Sequence, residues 1–288
     1  MNGGMNVLPQ NKYGEILEQL SRIPFNTLFA RSVLELKANG LVWADNQDSP
    51  KTVFIANSYG MSLLFGDTES QGLNTSLRHY MLNKDGERSK YEYLQVYPDK
   101  WNSKLEALLK GKIINHDTLA NQYPQRELEA MLEKHRKSHV FQWQRVNFKY
   151  AGTNKTINID PQYKIKLIDS NIWERIEGSV IPKYFWKSKE NFLLDGIGYA
   201  LMNGNDIVSI AFSSCKHENY LEIGVETAEK YRGRGFARQV CQELLTYCQK
   251  NNYIPVWACR KENIGSYKLA KSLGFVESFI LPYYELVH

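Results

Sequence analysis

No stretch of this 288-residue chain approaches the roughly 18 to 20 uninterrupted apolar residues that a membrane-spanning helix requires. The longest apolar runs are of the kind Ile207-Val208-Ser209-Ile210-Ala211-Phe212, so no membrane partner is expected. The segment Met1 to Gln10 has neither the basic region nor the apolar stretch of a secretory signal, and the expected compartment is cytoplasmic. Cysteine is scarce. The four, Cys215, Cys241, Cys248 and Cys259, form no C-x-x-C pair and have no histidine at metal-ligand spacing, so neither a disulfide framework nor a bound metal is expected. Cys241 and Cys248 lie two turns apart on one apparent helix, about 10 Å, too far to be bridged. One-sided charge is missing as well. The chain has 36 Lys+Arg against 31 Asp+Glu, but the basic residues are interspersed with acids and form no sustained block. A solvated surface explains them better than nucleic-acid binding.

What is present is ordinary globular composition, 43% hydrophobic and 23% charged, near the length at which one core stops growing and chains divide. The pattern predicts helices over 12–23 and 27–38, then short strands at 41–44, 52–56 and 61–65 separated by polar turns, an antiparallel meander. A helix at 73–82, a strand at 91–96, a helix at 99–109 and a charged helix at 127–137 follow. Residues 140–148 alternate as a strand does, without a clean apolar face. Ala151 to Pro161, poor in apolar residues, is the predicted boundary between an N-terminal α/β lobe, residues 1–150, and a second domain, residues 151–288. That domain reads as strand 163–168, helix 171–180, strands 198–202, 207–213 and 220–227, helix 236–248, strand 255–259, helix 264–273 and strands over 275–286. The whole is an α/β protein.

Between the strand that ends at Thr227 and the next helix lies Glu229-Lys230-Tyr231-Arg232-Gly233-Arg234-Gly235-Phe236-Ala237. A strand that runs through a basic, glycine-rich turn into a helix presents free backbone N–H groups at the positive end of the helix dipole, a cradle for an anion. Gly233 and Gly235 permit unusual dihedrals and close approach, Ala237 keeps the first turn small, and Arg232 and Arg234 add charge. A phosphate or pyrophosphate is the expected ligand. Neither G-x-G-x-x-G nor G-x-x-x-x-G-K-[ST] is present.

Arg232-x-x-Gly235-x-Ala237 resembles the R/Q-x-x-G-x-G/A acetyl-CoA pyrophosphate loop of the GNAT superfamily of N-acetyltransferases. Asn263-x-x-Ser266-x-x-Leu269-x-x-x-Leu273-Gly274-Phe275 is similar to that family's second signature, N-x-x-S/A-x-x-L-x-x-x-x-G-F. The likeness covers about Gln162 to Leu286. More narrowly, Glu222 to Thr227, Gly196 to Tyr199 and Pro255-x-Trp257 resemble bacterial GNAT proteins of the zwittermicin A resistance type, which carry an extra N-terminal region. The resemblance implies a C-terminal GNAT fold, a mixed, mostly antiparallel sheet flanked by helices. The strand and helix order over 41–110 is similar to a degenerate GNAT half without a phosphate loop.

The activity implied is acetyl transfer from acetyl-CoA to a primary amine of a small molecule, by direct attack on the thioester. A non-catalytic acyl-CoA-binding sensor and a protein N-acetyltransferase are the alternatives, and a homodimer is left open. By resemblance, the backbone of Val225, Glu226 and Thr227 pairs with the pantetheine arm. Arg232, Gly233, Arg234, Gly235, Phe236 and Ala237 hold the pyrophosphate, and Asn263 and Ser266 face the coenzyme from the last helix. The attacking amine must lose a proton. Glu222 and Glu226, on one face of their strand by alternation, are the candidate bases, Glu222 first; the alternative is that both pair with neighbouring basic residues. His217 is a further candidate base. The family's helical tyrosine, the acid for the leaving thiolate, is replaced here by Ala270, so Tyr267, Tyr283 and Tyr284 are the candidate acids. Cys259 and the aromatic residues Trp173, Tyr184, Trp186 and Phe192 lie near the expected acceptor site, with core packing as the plain alternative.

Overall fold

A computed structural model describes residue 4, residues 6–152 and residues 160–288. The middle of the predicted boundary segment, 153–159, therefore lies outside the described residues. The described strands are β1 (Asn6–Val7), β2 (Gly40–Ala44), β3 (Thr52–Asn57), β4 (Met61–Gly66), β5 (Tyr93–Tyr97), β6 (Ile113–Asn115), β7 (Val140–Tyr150), β8 (Tyr163–Leu167), β9 (Gly198–Asn203), β10 (Asp206–His217), β11 (Tyr220–Thr227), β12 (Ile254–Arg260) and β13 (Phe275–Glu285). They join in one mixed sheet, in the order β1-β2-β3-β4-β5-β13-β7-β12-β11-β10-β9-β8, with β6 paired to β7. The short β6 and the helix after it, His116–Gln122, carry no periodicity long enough to read from sequence.

The two halves of the chain repeat one pattern. In the first, β2, β3 and β4 form an antiparallel meander, helix α3 (Gln71–Met81) follows, and β5 returns parallel to β4. In the second, β9, β10 and β11 form the meander, helix α10 (Phe236–Lys250) follows, and β12 returns parallel to β11. Each half then gives its last strand to the other. β7, from the first half, pairs with β12; β13, from the second, pairs with β5; and β7 and β13 pair with one another. A cut at residue 150 thus leaves β7 with the N-terminal lobe although it lies between two strands of the second half.

This position explains the missing apolar face of β7. A strand in mid-sheet, covered on both sides, needs no polar face, and nearly all of Val140–Phe148 is buried, including Arg145 and Asn147. Helix α10 packs its stripe of Phe236, Val240, Cys241, Leu244, Leu245 and Cys248 on the second half's sheet. Each such side chain contributes about 1.5–3 kcal/mol of apolar burial. All four cysteines are free and buried. No helix among the described residues is long and apolar enough to cross a membrane.

Candidate active site

The parallel pairing of β11 with β12 runs only from Tyr220↔Ile254 to Glu222↔Val256, although β11 continues to Thr227 and β12 to Arg260. Beyond Glu222 the strands diverge, each held by its other neighbour, β11 by β10 and β12 by β7. The wedge so opened leaves the inner edge of β11 at Val225, Glu226 and Thr227 without a strand partner. In the first half β4 and β5 stay paired from Met61↔Tyr93 to Phe65↔Tyr97, so no wedge forms there. The turn after β4 reads Gly66-Asp67-Thr68-Glu69-Ser70, without arginine or a second glycine. At the wedge Gly224 is required by close approach, because a Cβ there would lie 2.5 Å from the Phe212 ring.

At the wide end of the wedge, Gly233 and Gly235 adopt φ of 76° and 79°, the left-handed region that glycine alone enters freely. Gly235 caps α10, and a Cβ at either glycine would meet nothing within 4 Å, so the surface before the helix is open. The amides of Gly235, Phe236 and Ala237 have no backbone partner among the described residues and point with the helix dipole. Arg232 is braced: its Nε donates to the Thr227 carbonyl at 3.0 Å and its Nη2 to Glu226 Oε1 at 3.2 Å. Arg234 donates to the Tyr163 hydroxyl at 3.3 Å and lies over the Phe236 ring. These residues fit a pyrophosphate: open amides, a helix N-terminus and two flanking guanidiniums.

The narrow end of the wedge opens into a cavity of about 520 Å³. Glu222, Val225, Cys259, Asn263, Ser266 and Tyr283 line it on the second half's side. Asn263 caps the helix that follows (Ile264–Ser272), its Oδ1 accepting from the Ser266 amide at 3.1 Å, and Ser266 Oγ accepts from Trp257 Nε1 at 3.1 Å. Tyr59, Tyr91, Tyr93, Arg145 and Phe185 close the cavity from elsewhere in the chain, along with Arg260. Sequence reasoning did not single out any of these six. The one available signal was Arg145, an arginine in the middle of a strand flanked by Trp143 and Asn147.

The two glutamates of β11 have separate tasks. Glu226 Oε2 accepts from the Ser179 amide (3.0 Å), the Ser179 hydroxyl (3.0 Å) and the Val180 amide (2.9 Å), while its Oε1 meets Arg232. It therefore ties the 179–180 loop to the turn before α10, with both oxygens engaged. Glu222 is 7% exposed and lines the cavity, with Arg145 Nη2 standing 3.7 Å from its Oε1. Burial pushes its pKa up, and the Arg145 charge pulls it back in part. Such a carboxyl is placed to take a proton nearer neutrality than an exposed one.

Of the candidate acids, Tyr267 lies outside the cavity lining: its hydroxyl donates to Glu277, which raises its pKa, and its ring packs on Phe148. Tyr284 is buried, its hydroxyl donating to Asn102 Oδ1 at 2.9 Å, and also stands outside the lining. Tyr283 is in it. Its hydroxyl accepts from Arg145 Nη1 at 3.3 Å, and burial holds it protonated. His217 is elsewhere, its Nδ1 paired with Glu35 Oε1 at 2.7 Å. Burial pushes the Cys259 thiol up, against a thiolate nucleophile. Trp173, Trp186 and Phe192 pack into the core, and Tyr184 is exposed while its neighbour Phe185 reaches the cavity. His116, Asp117 and Glu262 place ligand atoms within 4.8 Å of one another. Gln144 donates to Asp117, while Arg260 stands 3.9 Å from Glu262, whose buried oxygens have no hydrogen-bond partner among the described residues.

A family model described as GNAT acetyltransferase matches residues 19–284. An uncharacterized N-acetyltransferase, YdfB, of Bacillus subtilis (strain 168) is 27% identical over 273 residues, 90% of this chain and 95% of the relative. Among solved structures, a GCN5-related N-acetyltransferase-like protein from Streptococcus suis superposes with a TM-score of 0.67 at 20% identity, over 96% of this chain and 98% of that one. A tandem GNAT protein from the clavulanic acid biosynthesis pathway superposes with a TM-score of 0.54 at 7% identity, over 98% of both chains. Both structural likenesses span the two halves of the sheet.

Proposed function

Because the chain belongs to the GNAT acetyltransferase family, we propose that it moves the acetyl group of acetyl-CoA to a primary amine of a small molecule, by direct attack on the thioester, with Glu222 taking the proton. One observation carries this reading: the wedge between β11 and β12 and the buried Glu222 carboxyl share a single cavity. At about 520 Å³, closed on its far side by Tyr59, Tyr91 and Tyr93, the cavity is of small-molecule size, which favours a small amine over a polypeptide.

In this assignment the pyrophosphate of acetyl-CoA rests on Gly233 to Ala237, and the open edge of β11 at Val225 to Thr227 receives the pantetheine arm. Asn263 and Ser266 bound the same channel. Glu226 and Arg232 act on the coenzyme through the shape of the turn they brace. An amide of the β11 edge polarises the thioester carbonyl as negative charge develops on it. The departing thiolate is the conjugate base of an alkyl thiol that is protonated at neutral pH, so a proton donor beside it eases its release. Tyr283, protonated and in the cavity, is the donor at hand. Tyr267 has its hydroxyl turned to Glu277.

The test is thiol release from acetyl-CoA across amines, aminopolyols and peptides, the aminopolyols included for the zwittermicin A resistance-type likeness. Glu222→Gln should lower kcat by about 10²–10⁴ while leaving coenzyme affinity, read by calorimetry, unchanged. Tight coenzyme binding with no transfer to any amine would instead mark an acyl-CoA sensor.

A further inference from the structure

Arg145 of β7 and Arg260 of β12 are directly opposed in the antiparallel register, so both side chains leave the same face of the sheet, and both line the cavity. Like charges placed so oppose the strand pairing that brings them together. Neither is fully engaged by the protein. Arg145 is 5% exposed; its Nη1 donates to Tyr283, its Nη2 stands 3.7 Å from Glu222, beyond hydrogen-bond reach, and its Nε is buried without a partner among the described residues. A guanidinium has five N–H donors, and a buried one left short of acceptors is costly. Arg260 lies over the Trp143 ring at 4.2 Å and donates to the Tyr93 hydroxyl at 3.4 Å, but it meets acids only at a distance, Glu285 at 3.7 Å and Glu262 at 3.9 Å, so its N–H edge keeps donors to spare. Of the charged residues that line the cavity, two are cationic and one, Glu222, is acidic.

A ligand that satisfies this wall has an anionic end for the arginines and a cationic or amine end for Glu222. The planar fork of a guanidinium matches a carboxylate in shape. We propose that the acceptor is an amino-acid-type molecule, whose carboxylate is bound by Arg145 and Arg260 while its amine nitrogen faces Glu222. This rests on the acetyltransferase reading above and narrows its substrate. The wall of Tyr59, Tyr91 and Tyr93 then borders the remainder of the acceptor.

Two readouts separate the failure of this inference from the failure of the acetyltransferase reading. Amino acids of varied chain length and side chain, each beside its primary amide, are assayed for thiol release and, with coenzyme A present, for binding by thermal shift. The free acids should exceed their amides by about tenfold or more in kcat/KM, one charge-assisted contact being worth at least that. Arg260→Gln should erase the preference through KM, and Arg145→Lys should keep part of it. Arg260 is the more exposed of the pair, so its variant reports even where changes at the buried Arg145 disturb folding. Acetylation of amides and acids alike overturns the carboxylate site and leaves the transferase standing. Arginine-dependent binding of the acids without turnover supports the site and overturns small-amine transfer. Neither turnover nor binding overturns both.

Discussion

Replacing Arg145 by Gln should move the acid limb of the pH–rate profile towards alkaline pH. The guanidinium Nη2 stands 3.7 Å from Glu222 Oε1. At an effective dielectric of about 20, two unit charges at that spacing attract by about 4 kcal/mol. Burial nevertheless prevails, and the Glu222 pKa lies above its ordinary value. With the guanidinium gone, burial is opposed only by the Asn26 side chain, and the pKa should climb further. The sign follows from the role of the group. A base acts when ionised, so kcat falls as pH drops through its pKa, and a higher pKa brings that fall at a higher pH. The assay is kcat for thiol release against pH at saturating acetyl-CoA and amine, in wild type, Arg145→Gln and Glu222→Gln. The limb belonging to Glu222 is the one absent from Glu222→Gln, and melting curves confirm that each variant is folded. A limb unmoved in Arg145→Gln, or displaced towards acid, refutes the assignment of Glu222 as a base tuned by Arg145.

Three further outcomes are expected. Glu226→Ala strips the acceptor from the Ser179 and Val180 amides and from Arg232, and should lower folding stability by about 1–3 kcal/mol in urea titration while weakening acetyl-CoA binding. Gly235→Ala places a side chain at φ 79° and should cost about 1–2 kcal/mol in the loop conformation, read as a roughly 5- to 30-fold loss of coenzyme affinity by calorimetry; unchanged affinity would show that the loop is not the pyrophosphate site. Tyr283→Phe should slow turnover by about tenfold or more, the lower range of acid–base contributions, whereas Tyr267→Phe should change it less than about twofold. The reverse order would place the acid on the last helix.

The second half was legible because its signals are local. Each of the runs Arg232 to Ala237 and Asn263 to Phe275 joins neighbouring elements, and the αL glycines and the Asn263 cap act within a few residues. The first meander was equally plain, since β2, β3 and β4 are antiparallel neighbours in sequence order. The exchange of β7 and β13 was not. It rests on pairings such as Glu285↔Phe141, with nothing between to encode them, and a strand buried on both faces loses the alternation that would reveal it. The same distance hid half of the site. Alternation placed Glu222 and Glu226 together, yet Ser179 occupies one and Arg145 faces the other from remote segments, and only those contacts separate a latched carboxylate from one that faces the cavity.

The exchanged strands also bear on how the chain is made. β7 is synthesised with both of its main partners, β12 and β13, still to come, and roughly 100 residues separate Tyr150 from Ile254. At about 5–20 residues per second, that leaves its edges beyond the short β6 pairing without partners for roughly 5–20 s on the ribosome. A long strand with open edges is a template for association with other chains. The nascent N-terminal half should therefore stay prone to association until Phe275–Glu285 emerges, and deletion of that last strand should send both halves, not one, into the insoluble fraction on expression.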